Sequence, residues 1–533
     1  MVRLVERCLK REPSERFESG SGLLEAMAAA GLASSGLVSS GHLRKWAPAY
    51  LAGCLVAVVL GVLIWQGAGS ARPARYSGPL TVAVQPFADL TAGGKSAGIA
   101  EGLAADLLTR LGGLPGLRLI RSRKVGPDRL KAYGDSLSAQ YFVTGHVQSD
   151  PENLRVFASL YDVADGSLRW TGSFDRAADR PLDVQSEIAE AIVGKLALEL
   201  TQDDLAQLGR ENGPNLLAQD AYLRGMSLVL NRTPGDLAAA AAHFFESTQL
   251  DPNFPDAWSG YAYSRMLEAG TAYSPEKGSD DYEDARAAAL HALRLDPRQA
   301  LAMTTLASIY SEFDWDVEKA DSAFALAIAE NPNSAEARHL HASHLAESGR
   351  LQLALAEQRL AGLLDPESLI HPTNLGLIQF YRRDNEASLR AFDEVIERDP
   401  TFYMAHLNRS LLMVAMGQPE ASLESLSKAE RLVGPQPVVR SLQASALAAA
   451  GKESESREIL AELSELAETR YVSAPLFAQI YLALSDTSRA LDYLELGLRD
   501  HDVYLTVMRP WPFLDVVRDN PRFQRVLEGM GRE

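Results

Sequence analysis

The chain has 533 residues, 46% hydrophobic and 23% charged, which excludes wholesale disorder and, at ~150 residues per domain, implies roughly three or four units. With 52 basic against 70 acidic residues the formal charge is −18, which argues against a general nucleic-acid binder because that needs a basic face to displace counterions. Two cysteines, Cys8 and Cys54, exclude a disulfide scaffold or cysteine-rich zinc module, and 7% aromatics favours stacked helices over a sandwich or barrel.

Leu4, Val5, Cys8 and Leu9 have helical spacing, Pro13 starts a turn, and a second short helix follows, a fragment too small to hold a core. Cys8-Leu9, the charged stretch Lys10 to Glu12, Pro13 and Arg16-Phe17 resemble the last segment of a eukaryotic-type serine/threonine protein kinase domain. The resemblance implies that residues 1–28 are the remnant of a kinase C-lobe, where the arginine matching Arg16 pairs with the glutamate of an Ala-Pro-Glu motif. That partner is missing here, as are the Gly-rich phosphate loop, the lysine strand, the His-Arg-Asp loop and the Asp-Phe-Gly motif that phosphoryl transfer requires. The expectation is a chain that is not an enzyme, with a misplaced gene start or descent from a truncated kinase behind the tail.

Residues 29–46 read as a juxtamembrane linker, Ser-, Gly- and Ala-rich from Gly31 to Gly41. From Ala47 to Trp65 the chain is apolar; nineteen residues span about 28 Å, close to the ~30 Å hydrocarbon core, with Trp46, Tyr50 and Trp65 near the ends. A transmembrane helix over 47–66 is the expectation, against a buried helix or a signal peptide, which normally starts within the first few residues. Arg44 and Lys45 on one side nearly tie with Arg72 and Arg75 on the other. The kinase resemblance implies the orientation: amino end cytoplasmic, C-terminal bulk extracytoplasmic, joined by a linker over 67–78.

Within 79–200 the pattern gives a strand Leu80 to Phe87, a helix Ile99 to Leu111 and strands Leu117 to Ile120 and Tyr141 to Val147. A hairpin of Leu154 to Asp162 and Leu168 to Phe174 turns at Ala164 to Gly166, and a helix Leu182 to Leu200 closes the module. Gly94-Lys95-Ser96 occupies the place of a phosphate loop, but Asp89 stands where the motif requires its first glycine, so no cofactor is expected. VAVQPFADL, EGLAADLLTRL, GLRLI, YFVTGHV and SLYDVADGSLRWTGSF resemble the TolB amino-terminal-like domain. That resemblance implies an α/β interaction module without catalytic residues.

Self-similarity dominates from residue 215. Asp251-Pro252, Asp296-Pro297, Asn331-Pro332, Asp365-Pro366 and Asp399-Pro400 follow one another at 45, 35, 34 and 34 residues, the excess in the first interval falling at Gly270 to Asp284. Ala240, Ala285, Ala320, Ala354 and Ser388 precede each proline by twelve, and Phe244, Phe324 and Phe392 follow four later. Ala292, Ala327 and Ala361 come five before the proline, with Trp258, Tyr310 and Gly376 at further packing positions. These marks resemble the tetratricopeptide repeat, implying eight helix pairs over 215–533 and a capping helix over Leu514 to Leu527. The expected fold class is multidomain α with a small α/β domain: transmembrane helix, TolB-like α/β module, then tetratricopeptide α-solenoid.

Such an array binds partners on its concave face, lined by the first helix of each pair. Register points Asp256, Ser259, Tyr263, Thr304, Ser308, Glu336, His339, Ser343 and Thr373 there as protein-binding candidates. Glu336, as a solvated groove residue, should tolerate alanine within ~0.5 kcal/mol. His339, His341 and His344 lack the carboxylates that would complete a zinc set, so no metal site is expected; Asn231-Arg232-Thr233 is a glycosylation triplet of a kind common by chance. The functional expectation is a non-catalytic, membrane-anchored sensor scaffold related to bacterial serine/threonine kinase signalling, with a protein partner in the groove, the membrane at 47–66, no nucleic acid, and room for a homo-oligomer. The rivals are a fragment of an active kinase and a periplasmic carrier released by cleavage near residue 70.

Overall fold

The computed structural model describes residues 79–91, 97–114, 116–149, 153–177, 181–196, 216–270 and 279–531. The kinase-like tail, the apolar run at 47–66 and Gly94-Lys95-Ser96 lie outside the described residues. Among those described, no helix is long and apolar enough to cross a membrane.

Among the described residues the first part is a sheet of six strands: β1 (Leu80–Val84), β2 (Ala88–Asp89), β3 (Leu117–Arg121), β4 (Tyr141–Ser149), β5 (Asn153–Asp162) and β6 (Leu168–Ala177). Their order is β3-β1-β4-β5-β6, with β2 beside β4. β1 runs parallel to β3 and β4, while β4, β5 and β6 form an antiparallel meander. The parallel pairing requires a crossover, and helix α1 (Ala97–Gly112) supplies it between β1 and β3. Strand alternation then sorts the faces. Val82, Val84, Leu119, Val143 and Val156 pack with Leu103, Leu107 and Leu111 of α1 and with Ile188 and Ile192 of α3 (Pro181–Leu196). Ala83, Ile120 and Phe142 point the other way, onto Leu130 of α2 (Leu130–Ser136), a helix too short to leave a periodic signal in the sequence.

Among the described residues sixteen further helices form eight antiparallel pairs. The first four are α4 (Leu216–Val229) with α5 (Pro234–Leu250), α6 (Pro255–Gly270) with α7 (Ser279–Leu295), α8 (Ala300–Glu312) with α9 (Val317–Glu330), and α10 (Ala335–Glu347) with α11 (Leu351–Leu364). The rest are α12 (Ile370–Tyr381) with α13 (Asn385–Arg398), α14 (Tyr403–Ala415) with α15 (Pro419–Val433), α16 (Pro437–Ala449) with α17 (Glu453–Ala467), and α18 (Ala474–Ala483) with α19 (Thr487–Arg499). The first helix of each pair touches the first helix of the next, whereas second helices of neighbouring pairs make no comparable contact, so first helices line the inside. This is the tetratricopeptide solenoid arrangement.

The periodic residues explain the stacking. Ala240, Ala285, Ala320, Ala354, Ser388, Ala292, Ala327 and Ala361 are fully buried, as are Phe244, Phe324 and Phe392. A side chain on Gly260 would meet the Phe244 ring at 2.5 Å, and one on Gly376 would meet Phe392 at 2.7 Å; both glycines are there to admit an aromatic ring. The second helices α5, α7, α9, α11 and α13 each stop before an Asp-Pro or Asn-Pro dipeptide because a residue preceding proline is driven out of the helical region. Asp251 lies at φ −143°, ψ 95° and Asp399 at φ −149°, ψ 102°. Their side chains then accept backbone amides two residues on, from Asn253 at 3.0 Å and Thr401 at 2.8 Å, which sets the turn into the next inner helix.

The carboxyl end differs from the single capping helix expected over Leu514 to Leu527. Helix α20 (Tyr504–Met508), a 3₁₀ turn at Pro512–Val516 and α21 (Pro521–Gly529) follow one another. Proline at 521 opens a new helix, capped by Asn520, instead of continuing an old one. This segment packs on the turns of earlier pairs: Trp511 Nε1 donates to the Tyr381 hydroxyl at 3.3 Å, Arg509 donates to the Glu347 carbonyl at 2.6 Å, and the His501 ring stacks 4.0 Å from Trp315.

Candidate functional site

The sheet module and the repeats meet directly. Asn333, in the turn between α9 and α10, accepts the Leu119 amide hydrogen at 3.0 Å and donates to the carbonyls of Gly112 at 2.8 Å and Leu117 at 3.1 Å. Tyr133 donates to Glu367 at 2.5 Å, and Arg121 lies 3.5 Å from Asp365. Burial first, and the Glu367 carboxylate second, push the Tyr133 hydroxyl up to about 12.

Beside these contacts lies a cavity of about 1070 Å³. One wall is α1 and β3, with Ala105, Leu108, Arg110, Leu119 and Arg121; another is α4, with Tyr222 and Met226. The floor is built from the amino-terminal turns of α6, α8, α10 and α12, bringing in Asp256, Gln299, Ser334, Glu336 and His371. Among the described residues six carboxylates line it, Asp251, Asp256, Asp296, Glu330, Glu336 and Asp365, against the guanidiniums of Arg110, Arg121, Arg232 and Arg298.

Four of the nine groove candidates line this cavity. Asp256 accepts from Gln299 Nε2 at 2.9 Å, and the Ser259 hydroxyl donates to the Pro255 carbonyl at 2.9 Å. Tyr263 and Glu336 are bound to Arg232, whose guanidinium donates to the Tyr263 hydroxyl at 2.7 Å and to Glu336 Oε1 at 2.8 Å. Burial opposes the Glu336 charge, but the Arg232 guanidinium outweighs it and holds the carboxyl at about 2. Arg232 shows the same balance: burial works against its charge, while Glu336 and Tyr263 raise its pKa.

The other five sit on the same inner helices but away from the cavity lining. Thr304 and Thr373 are 1% exposed and donate to the carbonyls four residues back, of Ala300 and Leu369, both at 2.8 Å. Ser308 is equally buried, its hydroxyl without a hydrogen-bond partner among the described residues. His339 Nδ1 lies 3.1 Å from Gln358 Oε1, and Ser343 accepts from Asn374 at 3.2 Å. Inner helices pack so tightly on one another that their small polar residues fill helix contacts instead of facing open groove. Burial lowers the pKa of His339, and that of His371 to about 3, so both rings stay neutral.

Sequence reasoning missed Arg232, Gln299, Asn333 and His371. The one signal for Arg232 was its triplet before Pro234, which marks a turn: Thr233 caps α5 by accepting the Asp236 amide at 3.2 Å. His344 Nδ1 lies 2.6 Å from Ser311 Oγ and its Nε2 3.0 Å from Asp321, a serine–histidine–aspartate contact. Ser311 and His344 are each 1% exposed and none of the three lines the cavity, so the trio clamps helices instead of meeting a substrate. Among the described residues no group of three His, Cys, Asp or Glu side chains could hold a metal ion.

No protein-family model matches the chain. Over 178 residues it is 23% identical to a putative adenylate cyclase 3 of Rhizobium meliloti (strain 1021), covering 32% of this chain; the chain thus spans only 30% of that relative's length. The solved structure of PilW, described as a widely conserved type IV pilus biogenesis factor, is 22% identical with a TM-score of 0.32, covering 39% of this chain and 92% of that one. A tetratricopeptide repeat protein from Parabacteroides merdae ATCC 43184 is 16% identical with a TM-score of 0.35, covering 50% and 98%. Likenesses this partial carry no role across; the repeat assignment here stands on the 34-residue register and the packing of the inner helices.

Proposed function

We propose that this chain is a non-catalytic interaction scaffold, anchored in the membrane by residues 47–66, whose sheet module and repeat groove together hold a segment of a protein partner outside the cytoplasm. The observation that carries this reading is the cavity of about 1070 Å³ walled by both parts. It lies at the top of the ~300–1,000 Å³ range of small-molecule pockets, and its floor repeats polar groups from one inner helix to the next, as suits an extended peptide. Its surplus of carboxylates disfavours nucleic acid. The kinase-like residues at 8–17 and the partial overlap with a protein named a putative adenylate cyclase support a place beside a signalling enzyme.

Site-specific photo-crosslinking tests the reading. A photoreactive residue at Ala335, on the cavity floor, should capture a partner from native cells, whereas one at Leu290, exposed on an outer helix, should not. Equal capture at both positions, or none at Ala335, rejects the groove as the binding surface.

A further inference from the structure

Arg232 sits in the turn between the two helices of the first pair, yet it reaches the inner helices of the second, fourth and sixth. Its guanidinium contacts Tyr263 of α6 and Glu336 of α10, and its carbonyl accepts from the Tyr403 hydroxyl of α14 at 3.3 Å. The guanidinium carbon also lies 5.6 Å from the centre of the Tyr263 ring, within cation–π range. The backbone at Arg232 is left-handed, φ 58°, a conformation that disfavours a side chain of this size. The same left-handed residue recurs at Trp315, Arg383 and Ser485, each two positions before a second helix, so the conformation belongs to the turn and places the Arg232 side chain toward the inner helices. Asn231 beside it is exposed, so the turn has solvent to move into.

We propose that Tyr263 and Glu336 form an arginine-recognition subsite of the groove, filled in the resting protein by the chain's own Arg232, and that the partner segment carries an arginine that displaces it. This rests on the groove reading above and names the chemistry of the occupant. Three observations carry it. The pocket pairs an aromatic face with a carboxylate and a hydroxyl acceptor, a set that suits a planar guanidinium better than a compact ammonium. Arg232, Tyr263 and Glu336 all line the cavity, so the subsite opens where a partner's chain would run. Among the described residues carboxylates already outnumber guanidiniums around that cavity, and withdrawal of Arg232 deepens the deficit that an incoming arginine fills. Because Arg232 is tethered, it competes at an effective concentration on the order of millimolar, which makes the groove selective against weak ligands.

The test uses the full-length chain and two blocked, fluorescein-labelled pentapeptides, Ala-Ser-Arg-Ser-Ala and the same sequence with neutral citrulline in place of arginine, followed by fluorescence anisotropy. Arg232→Ala should bind the arginine peptide about tenfold or more tightly than the parent does. It should show no such gain for citrulline, and adding Glu336→Gln should remove the gain. Equal gains for both peptides would overturn the arginine subsite while leaving a peptide groove in place. Absence of binding to Arg232→Ala overturns the subsite too, and the crosslinking at Ala335 then decides the groove on its own. Should Arg232→Ala not fold, hydrogen exchange on the parent gives the answer: millimolar arginine peptide should speed exchange of the Asp236 and Leu237 amides, which are held by Thr233 next to Arg232. Unchanged exchange there overturns the proposal.

Discussion

The Asn333 side chain binds the Leu119 amide across 214 positions of sequence, and through two further bonds it ties the end of a sheet-module helix and an edge strand to the fourth repeat. One amide thereby satisfies three backbone groups at the junction. Asn333→Ala should destabilise the junction by about 1–3 kcal/mol, since those groups lose their partner. Asn333→Asp should cost more, because a carboxylate oxygen would then face two carbonyls. Hydrogen exchange at Leu119 reads the effect, and protection equal to the parent in both variants would reject the tie.

Glu336 carries the prediction that changes most between sequence and structure. As a solvated groove residue it would lose under ~0.5 kcal/mol on truncation. Paired with the buried Arg232 at 2.8 Å, Glu336→Ala should cost about 3–5 kcal/mol, because it strands a buried cation. The double variant Arg232→Met with Glu336→Leu should recover much of that loss. Denaturant melts of the three proteins decide, and a near-neutral Glu336→Ala returns the residue to the open groove.

Acid should weaken the fold in two stages. His371, pulled by burial from 6.5 to about 3, stays neutral in the folded chain while the unfolded chain takes up a proton, so stability falls as pH drops from 6.5 toward 3. Glu336, held at about 2 against an ordinary 4.5, adds a second loss between pH 4.5 and 2 as the unfolded carboxyl protonates first. His371→Phe should flatten the upper limb and Glu336→Gln the lower. A thermal-melt profile unchanged by either substitution contradicts these assignments.

Ala327 is fully buried where a second helix meets its partners. Ala327→Trp should cost at least about 1–3 kcal/mol by overpacking. Circular dichroism melts check it; a variant melting like the parent would show that the 34-residue register is misplaced.

Membrane attachment is tested by Val58→Asp with Val59→Asp. Each aspartate at a helix centre costs about 2.5–3.5 kcal/mol on insertion scales, enough to release the chain from carbonate-washed membranes. Undiminished recovery in the membrane fraction would remove the anchor from the proposal.

Local chemistry made the repeats legible. An Asp-Pro or Asn-Pro dipeptide ends a helix by its own backbone restrictions, small residues recur wherever paired helices must approach, and Phe244, Phe324 and Phe392 mark the same slot each time. Strands β1, β3, β4, β5 and β6 were readable for the same reason, since alternation is written residue by residue, whereas β2, two residues long, left no pattern to read. The superhelical path of the array was not local. It brings the Arg232 turn against Glu336, 104 positions on, and Tyr403, 171 positions on, and it lays the sheet module over the amino-terminal turns of four inner helices. No periodicity encodes those meetings, because each repeat adds a small rotation whose sum decides which residues share a cavity. The register thus chose the inner helices, while only the assembled turn decided that Tyr263 and Glu336 hold an arginine of their own chain and that Thr304, Ser308 and Thr373 are sealed between helices.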